Sequence, residues 1–234
     1  MNFLAGFLLM FFKDENTAFK AFSGLIEKFE MNELFKDDLP LLKQYFYKLD
    51  RLISMYLPDL YSHFKDETVQ ASLFSASWLI TLFANTIQFQ KSEIINEALL
   101  KLWDYFMVFG VKGVFRASIF LLKTFETCFY QLSFEQILAF IPQIPRFIFV
   151  PNEEEEDQSN ENNDKKLLSQ SIQNFDGKIS KKIKEIREEL DATNNLHKHL
   201  MSTNISSFIF EKIDNEYYES EKHSEIDTYL KETE

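Results

Sequence analysis

The chain has 234 residues, of which 45% are hydrophobic, and a formal net charge of −12 at pH 7. This acidic balance argues against nucleic acid or an anionic membrane surface as the main partner, because both select for clustered Lys and Arg. The single cysteine, Cys128, excludes an internal disulfide and is typical of a reducing compartment, so we expect a cytoplasmic protein.

The chain opens with MNFLAGFLLMFF, which contains no charged side chain, and Lys13, Asp14 and Glu15 follow directly. A signal peptide needs basic residues before its apolar run, and a transmembrane helix needs about 20 apolar residues. The opening fits neither description, so we predict a core helix and no transmembrane segment.

Five Gly and five Pro in the whole chain leave few breakers for strands and hairpins. Between them, apolar residues recur every three or four positions, as in amphipathic helices. The predicted helices cover Leu39 to Tyr56, Ser72 to Asn85, Lys91 to Phe109, Val111 to Gln131, and Ser133 to Pro142. Ser133 and Gln136 form an S-x-x-Q capping box at the start of the last one. We therefore predict that residues 1–150 are all-α.

The composition changes near Pro151. Residues 1–150 carry 16 acidic and 14 basic side chains (net −2), whereas residues 151–234 carry 21 and 11 (net −10). The run NEEEEDQSNENND cannot bury enough apolar surface to offset chain entropy, so residues 151–165 are predicted to be an acidic disordered linker.

A helical tail is predicted over residues 166–234. Its first part carries an amphipathic stripe that predicts a helix within 166–200, docked on this chain or on a helix of another protein. The stripe consists of Leu168, Ile172, Phe175, Ile179, Ile183, Ile186 and Leu190.

No local motif indicates an active site, a metal site or a cofactor, because Gly-rich phosphate loops, C-x-x-C and H-E-x-x-H are absent from the sequence. His63 stands alone, and His197 and His199, two residues apart, fall on different faces of a helix. Cys128 has no basic residue nearby in the sequence and is predicted to be a buried thiol.

A longer pattern contains the words W-L-x-x-L-F and L-W-D-x-F in this order. Its segments are LPDLYSHF (Leu57 to Phe64), SASWLITLFA (Ser75 to Ala84) and LLKLWDYFMVFGVKGVFRASIFLLK (Leu99 to Lys123). With the earlier stretches MNFLAGFLLMFF, AFSGLIEKF and YFYKLDRLISMYLP, they resemble the C-terminal half of a TBC domain, which activates Rab-type small GTPases. The resemblance covers about residues 1 to 145 and implies an orthogonal array of helices, followed here by the linker and the tail.

The resemblance singles out nine motif positions, and for all nine a structural role is favoured over a direct GTPase contact. They are Trp78, Leu82, Phe83, Trp103, Asp104, Phe106, Gly110, Phe115 and Arg116. Helical spacing predicts that both tryptophans are core anchors and that Gly110 ends a helix. Asp104 is expected to bond a nearby backbone group or Arg116.

The resemblance implies a regulator of Rab GTPases in vesicle traffic, with a GTP-bound Rab as partner and endomembranes reached through that GTPase. Such domains insert an arginine from I-x-x-D-x-x-R, which stabilises charge on the phosphate oxygens, and a glutamine from Y-x-Q, which orients the attacking water. Neither motif occurs in this chain, and Met1-Asn2 aligns just after the glutamine.

Two hypotheses follow. The chain is the C-terminal part of a Rab GTPase activator whose catalytic residues lie upstream, or it is a non-catalytic GTPase-binding or scaffold protein, a pseudo-GAP. In both cases it is an enzyme regulator by family, without catalytic activity of its own. A membrane-surface role is weaker, because the polar face of the first helix lacks Lys and Arg. We expect Phe3, Phe7 and Phe11 to be largely exposed.

Overall fold

The computed structural model of the chain describes residues 2–87, 97–149, 177–189 and 196–232. Within these ranges the chain forms α-helices and short 3₁₀-helices and no strand, which confirms the prediction of an all-α fold. The linker 151–165 and four residues of the predicted tail stripe lie outside the described residues, namely Leu168, Ile172, Phe175 and Leu190.

Eleven helices are described before residue 150. They are α1 (Asn2–Phe12), α2 (Glu15–Lys28), α3 (Pro40–Tyr56), α4 (Pro58–Asp66), α5 (Ala76–Thr81), α6 (Ala84–Ile87), α7 (Glu97–Phe109), α8 (Val111–Thr124), α9 (Glu126–Phe129), α10 (Phe134–Phe140) and α11 (Ile144–Phe149). Short 3₁₀-helices cover Met31–Phe35, Ala71–Leu73 and Ile141–Gln143. The tail adds α12 (Gly177–Glu189), α13 (Leu196–Ser202) and α14 (Ser207–Glu232).

The apolar opening forms α1, whose inner face lies in the core. Leu4 and Phe7 are buried, and the Phe7 ring centroid lies 4.3 Å from that of Trp103. The prediction of an exposed Phe7 is therefore wrong, whereas Phe3 and Phe11 are 50% and 48% exposed. No helix in the described ranges is long and apolar enough to cross a bilayer.

The helix predicted over Leu39 to Tyr56 is confirmed as α3. Pro40 occupies its first turn, where the missing N–H has no intrahelical partner to lose. Its buried stripe includes Leu49 and Leu52, and the helix ends before Pro58. Asp50 follows Leu49 in α3. Its carboxylate accepts the backbone N–H of Ala71 at 2.9 Å and ties α3 to the 3₁₀-helix Ala71–Leu73.

The single helix predicted over 72–85 is wrong. The chain instead breaks between α5 and α6, where Leu82 and Phe83 adopt left-handed φ angles of 48° and 64°. The helix predicted over 111–131 also breaks, at Phe125 between α8 and α9. The capping box is confirmed, since the Ser133 backbone N–H donates to the Gln136 side-chain oxygen at 3.1 Å.

The tail helices pack on the N-terminal helices. Ile179, Ile183 and Ile186 of α12 are buried, and α12 contacts α11. The next helix, α13, lies against α7 and α8, and α14 lies against α3. The described part of the tail therefore docks within this chain.

Candidate functional site

The motifs W-L-x-x-L-F and L-W-D-x-F pack against each other in the core. The indole N–H of Trp103 donates to the Leu82 carbonyl at 3.1 Å, which holds the left-handed break after α5. The Phe83 ring stacks on Trp78, with centroids 5.4 Å apart, and lies 6.1 Å from the Phe106 ring. All five side chains are buried. These positions therefore hold the helices together and present no surface to a partner.

Gly110 joins α7 to α8. Its φ of 62° and ψ of −152° lie in a region that is essentially restricted to glycine, and its N–H donates to the Phe106 carbonyl at 2.7 Å. Asp104 is exposed on α7, in contrast to the buried motif side chains.

Arg116 of α8 is a buried cation, 9% exposed. Its guanidinium donates to the Ile205 carbonyl at 2.9 Å, to the Asn204 side-chain oxygen at 3.3 Å and to the Tyr105 hydroxyl at 3.4 Å. It also lies over the Phe109 ring, 5.2 Å from the centroid. Arg116 thus bonds the tail rather than Asp104.

Four cations of α3 and α8 line what we call the cationic groove, comprising Lys48, Arg51, Lys112 and Arg116. The Lys48 ammonium lies 2.6 Å from the Asp214 carboxylate, and the Arg51 Nε lies 2.9 Å from that of Glu216. Lys112 donates to the Ser207 hydroxyl. Each cation of the groove therefore contacts the tail.

Apolar side chains of the tail complete the contact. Ile205, Phe210 and Ile213 are buried, and the Phe210 ring meets Phe115 edge-on with centroids 5.5 Å apart. Burial, with the Glu30 and Asp214 carboxylates as lesser causes, raises the pKa of Tyr45, whose ring also meets Phe115.

The sequence analysis predicts a helical tail over 166–234 but places its docking stripe within 166–200, so it missed the docking of residues 203–217. Phe210, Ile213 and Tyr217 stand at i, i+3 and i+7, which is a helical stripe and could have revealed it. Among the neighbouring phenylalanines, Phe208 is 73% exposed and Phe210 is 9% exposed, as this periodicity requires.

Among the residues that the structure describes, His63 and Cys128 belong to no cluster of His, Cys, Asp and Glu side chains that could hold a metal ion. His63 is partly buried and its ring lies 5.8 Å from that of Tyr130. Cys128 is buried, as the sequence predicts, and this burial raises the pKa of its thiol to about 11, which disfavours the thiolate. His197 and His199 belong to α13, and their side chains lie outside the described set.

A family model described as the Rab-GTPase-TBC domain matches residues 1–130. The chain belongs to this family. Its TBC region is 29% identical over 142 residues to the human ecotropic viral integration site 5 protein homolog, covering 61% of this chain and 16% of that protein. It is 30% identical over 138 residues to the Caenorhabditis elegans Rab GTPase-activating protein eat-17, covering 59% and 15%. With mouse TBC1 domain family member 14 it is 28% identical over 145 residues, covering 62% and 20%.

The chain spans 20% or less of the length of these relatives. The TBC match contains α3 and α8, which carry the four cations of the groove, and it ends at residue 130. The helices α12 to α14 lie beyond it, so the groove belongs to the matched region and its occupant does not.

Proposed function

We propose that the chain is a Rab-binding regulator that works in the cytoplasm and at endomembranes through a GTP-bound Rab-type GTPase. In this proposal the 234 residues supply the GTPase-binding part and do not accelerate hydrolysis by themselves. Support comes from membership of the family, from a relative named as a Rab GTPase-activating protein, and from the lack of Y-x-Q and I-x-x-D-x-x-R in the sequence.

The engagement of Arg51 and Arg116, two of the four arginines of the chain, supports the non-catalytic part of the proposal. An arginine finger must extend into the nucleotide site of the GTPase, where it contributes about 10³- to 10⁵-fold to the rate. Arg116 is buried and bonded to the tail, and Arg51 is paired with Glu216. While the tail is docked, neither guanidinium can enter a nucleotide site without losing its partners.

Single-turnover GTP hydrolysis by a panel of Rab proteins tests this directly. With the 234-residue chain we expect the intrinsic rate, together with measurable binding to Rab loaded with a GTP analogue and weaker binding to the GDP form. Acceleration by the chain alone would refute the assignment of the missing fingers.

A fusion provides the positive control. Joining the Y-x-Q and I-x-x-D-x-x-R half of a relative's TBC domain upstream of Met1 should raise hydrolysis by about 10³-fold or more, and alanine at the finger arginine should remove most of that gain.

Mass spectrometry of the endogenous protein separates the two forms of the proposal. Upstream peptides containing Y-x-Q would identify a complete activator. A mass near 27.8 kDa with Met1 at the N-terminus would identify a non-catalytic binding protein.

A further inference from the structure

An acidic protein concentrates cations in one groove. The chain carries a net charge of −12, yet Lys48, Arg51, Lys112 and Arg116 line the groove that the tail fills. Residues 203–222, which lie in it, have five acidic and two basic side chains, a net charge of −3. Groove and occupant are therefore complementary in charge.

The docked helix contacts the groove through apolar and acidic side chains. The Phe210 ring lies 5.1 Å from the Lys48 ammonium and 5.6 Å from that of Lys112, so two cations approach one aromatic ring. One turn later Ile213 is 1% exposed, and Asp214 beside it pairs with Lys48. The docked segment thus offers the groove an apolar anchor, as in helix-in-groove recognition, with an acidic side chain beside it.

Two features make the occupant displaceable. The Arg51–Glu216 pair is partly exposed, with 41% and 27% of the two side chains accessible, and such pairs contribute little to stability. Within α14, the buried side chains among those described are Phe210 and Ile213, and the entropy of ordering the helix opposes this small burial. The groove also lies inside the family match, whereas α14 lies beyond residue 130.

We propose that the cationic groove is a recognition site for acidic helices that carry apolar anchors, with α14 as its ligand in cis. An acidic helix of a partner protein, with apolar residues spaced like Phe210 and Ile213, binds there once α14 leaves. The peptide-binding tests of this inference need no GTPase, so it and the proposed Rab binding can fail separately.

A fluorescent peptide of residues 203–222 serves as the probe, titrated against the full chain. Ile213→Asp places a charge at a buried anchor and should release α14, while Phe208→Asp makes the same kind of change at a side chain that is 73% exposed. We expect Ile213→Asp to bind the peptide at least tenfold more tightly than the wild type or Phe208→Asp. Equal affinities in all three would overturn cis occupancy.

The chemistry of recognition is tested in the released background. Adding Lys48→Met to Ile213→Asp should weaken peptide binding at least tenfold, because the partner of the acidic side chain and one cation over the aromatic ring are both lost. Unchanged affinity would overturn the proposed acidic specificity.

The wild-type chain gives a second test that does not depend on the folding of a variant. Excess peptide should speed amide exchange in α14 and leave α8 protected, and unchanged exchange in α14 would overturn the proposal. Sedimentation tests whether the groove is filled by α14 of a second copy. A dimer at micromolar concentration that Ile213→Asp converts to a monomer would overturn docking in cis, because the helix would then be exchanged between two copies.

Discussion

Replacing Arg116 by methionine tests how the tail is held. Methionine keeps an unbranched apolar stem but removes the donors to the Ile205 carbonyl, at 2.9 Å, and to the longer contacts at Asn204 and Tyr105. A hydrogen bond from a charged group contributes about 1.5–3 kcal/mol, and a buried carbonyl left without a donor costs about 1–3 kcal/mol. These contributions overlap, so we expect the tail to lose about 2–4 kcal/mol of docking free energy.

Amide hydrogen exchange is the decisive assay, because the tail can open without unfolding the core and its amides then report the local free energy. The expected loss corresponds to roughly 30- to 900-fold faster exchange in residues 203–213, with α8 nearly unchanged. Arg51→Met is the matched control, since its partly exposed ion pair should contribute less than about 1 kcal/mol. A small effect of Arg116→Met, or equal effects of both variants, would mean that desolvation of the buried guanidinium cancels its hydrogen bonds.

Three further comparisons test the fold. Gly110→Ala should lower the free energy of unfolding in urea by about 1–3 kcal/mol, because alanine rarely adopts its φ of 62°. Gly24→Ala, within α2 and with open space around the added methyl, should instead stabilise by up to about 1 kcal/mol, and a loss there would contradict this reasoning. Burial raises the pKa of Asp50 from 3.8 to about 6, so the folded state binds the proton more tightly and stability falls as pH rises between these values. Asp50→Asn should therefore stabilise by about 1–2 kcal/mol at pH 7 and by little at pH 4, and thermal unfolding that shows a pH-independent difference would oppose this. In urea unfolding, Trp103→Phe should lower the free energy of unfolding by about 1–3 kcal/mol more than Trp78→Phe does. The reason is that the Trp103 indole N–H donates to a carbonyl, while that of Trp78 has no partner in the described structure. Equal losses in the two variants would assign the effect to packing alone.

Local patterns in the sequence were enough to predict several parts of this fold. The helix α3 follows from an apolar stripe with Pro40 in its first turn and Pro58 after its end, and the capping box at Ser133 depends on residues three positions apart. The motif words identified the family, which the match to residues 1–130 confirms. Periodicity and capping act within one or two helical turns, so a single sequence carries them completely.

Other features depend on contacts between distant residues, and only the tertiary structure decided them. The left-handed Leu82 breaks a predicted helix because its carbonyl accepts a bond from Trp103, 21 residues later. The docked tail depends on pairs such as Gln44 with Asp214, which are 170 residues apart. Spacing in the sequence predicts which face of a helix is apolar, but the neighbour that covers this face is set by how the helices pack. That packing brings four cations together under an acidic helix.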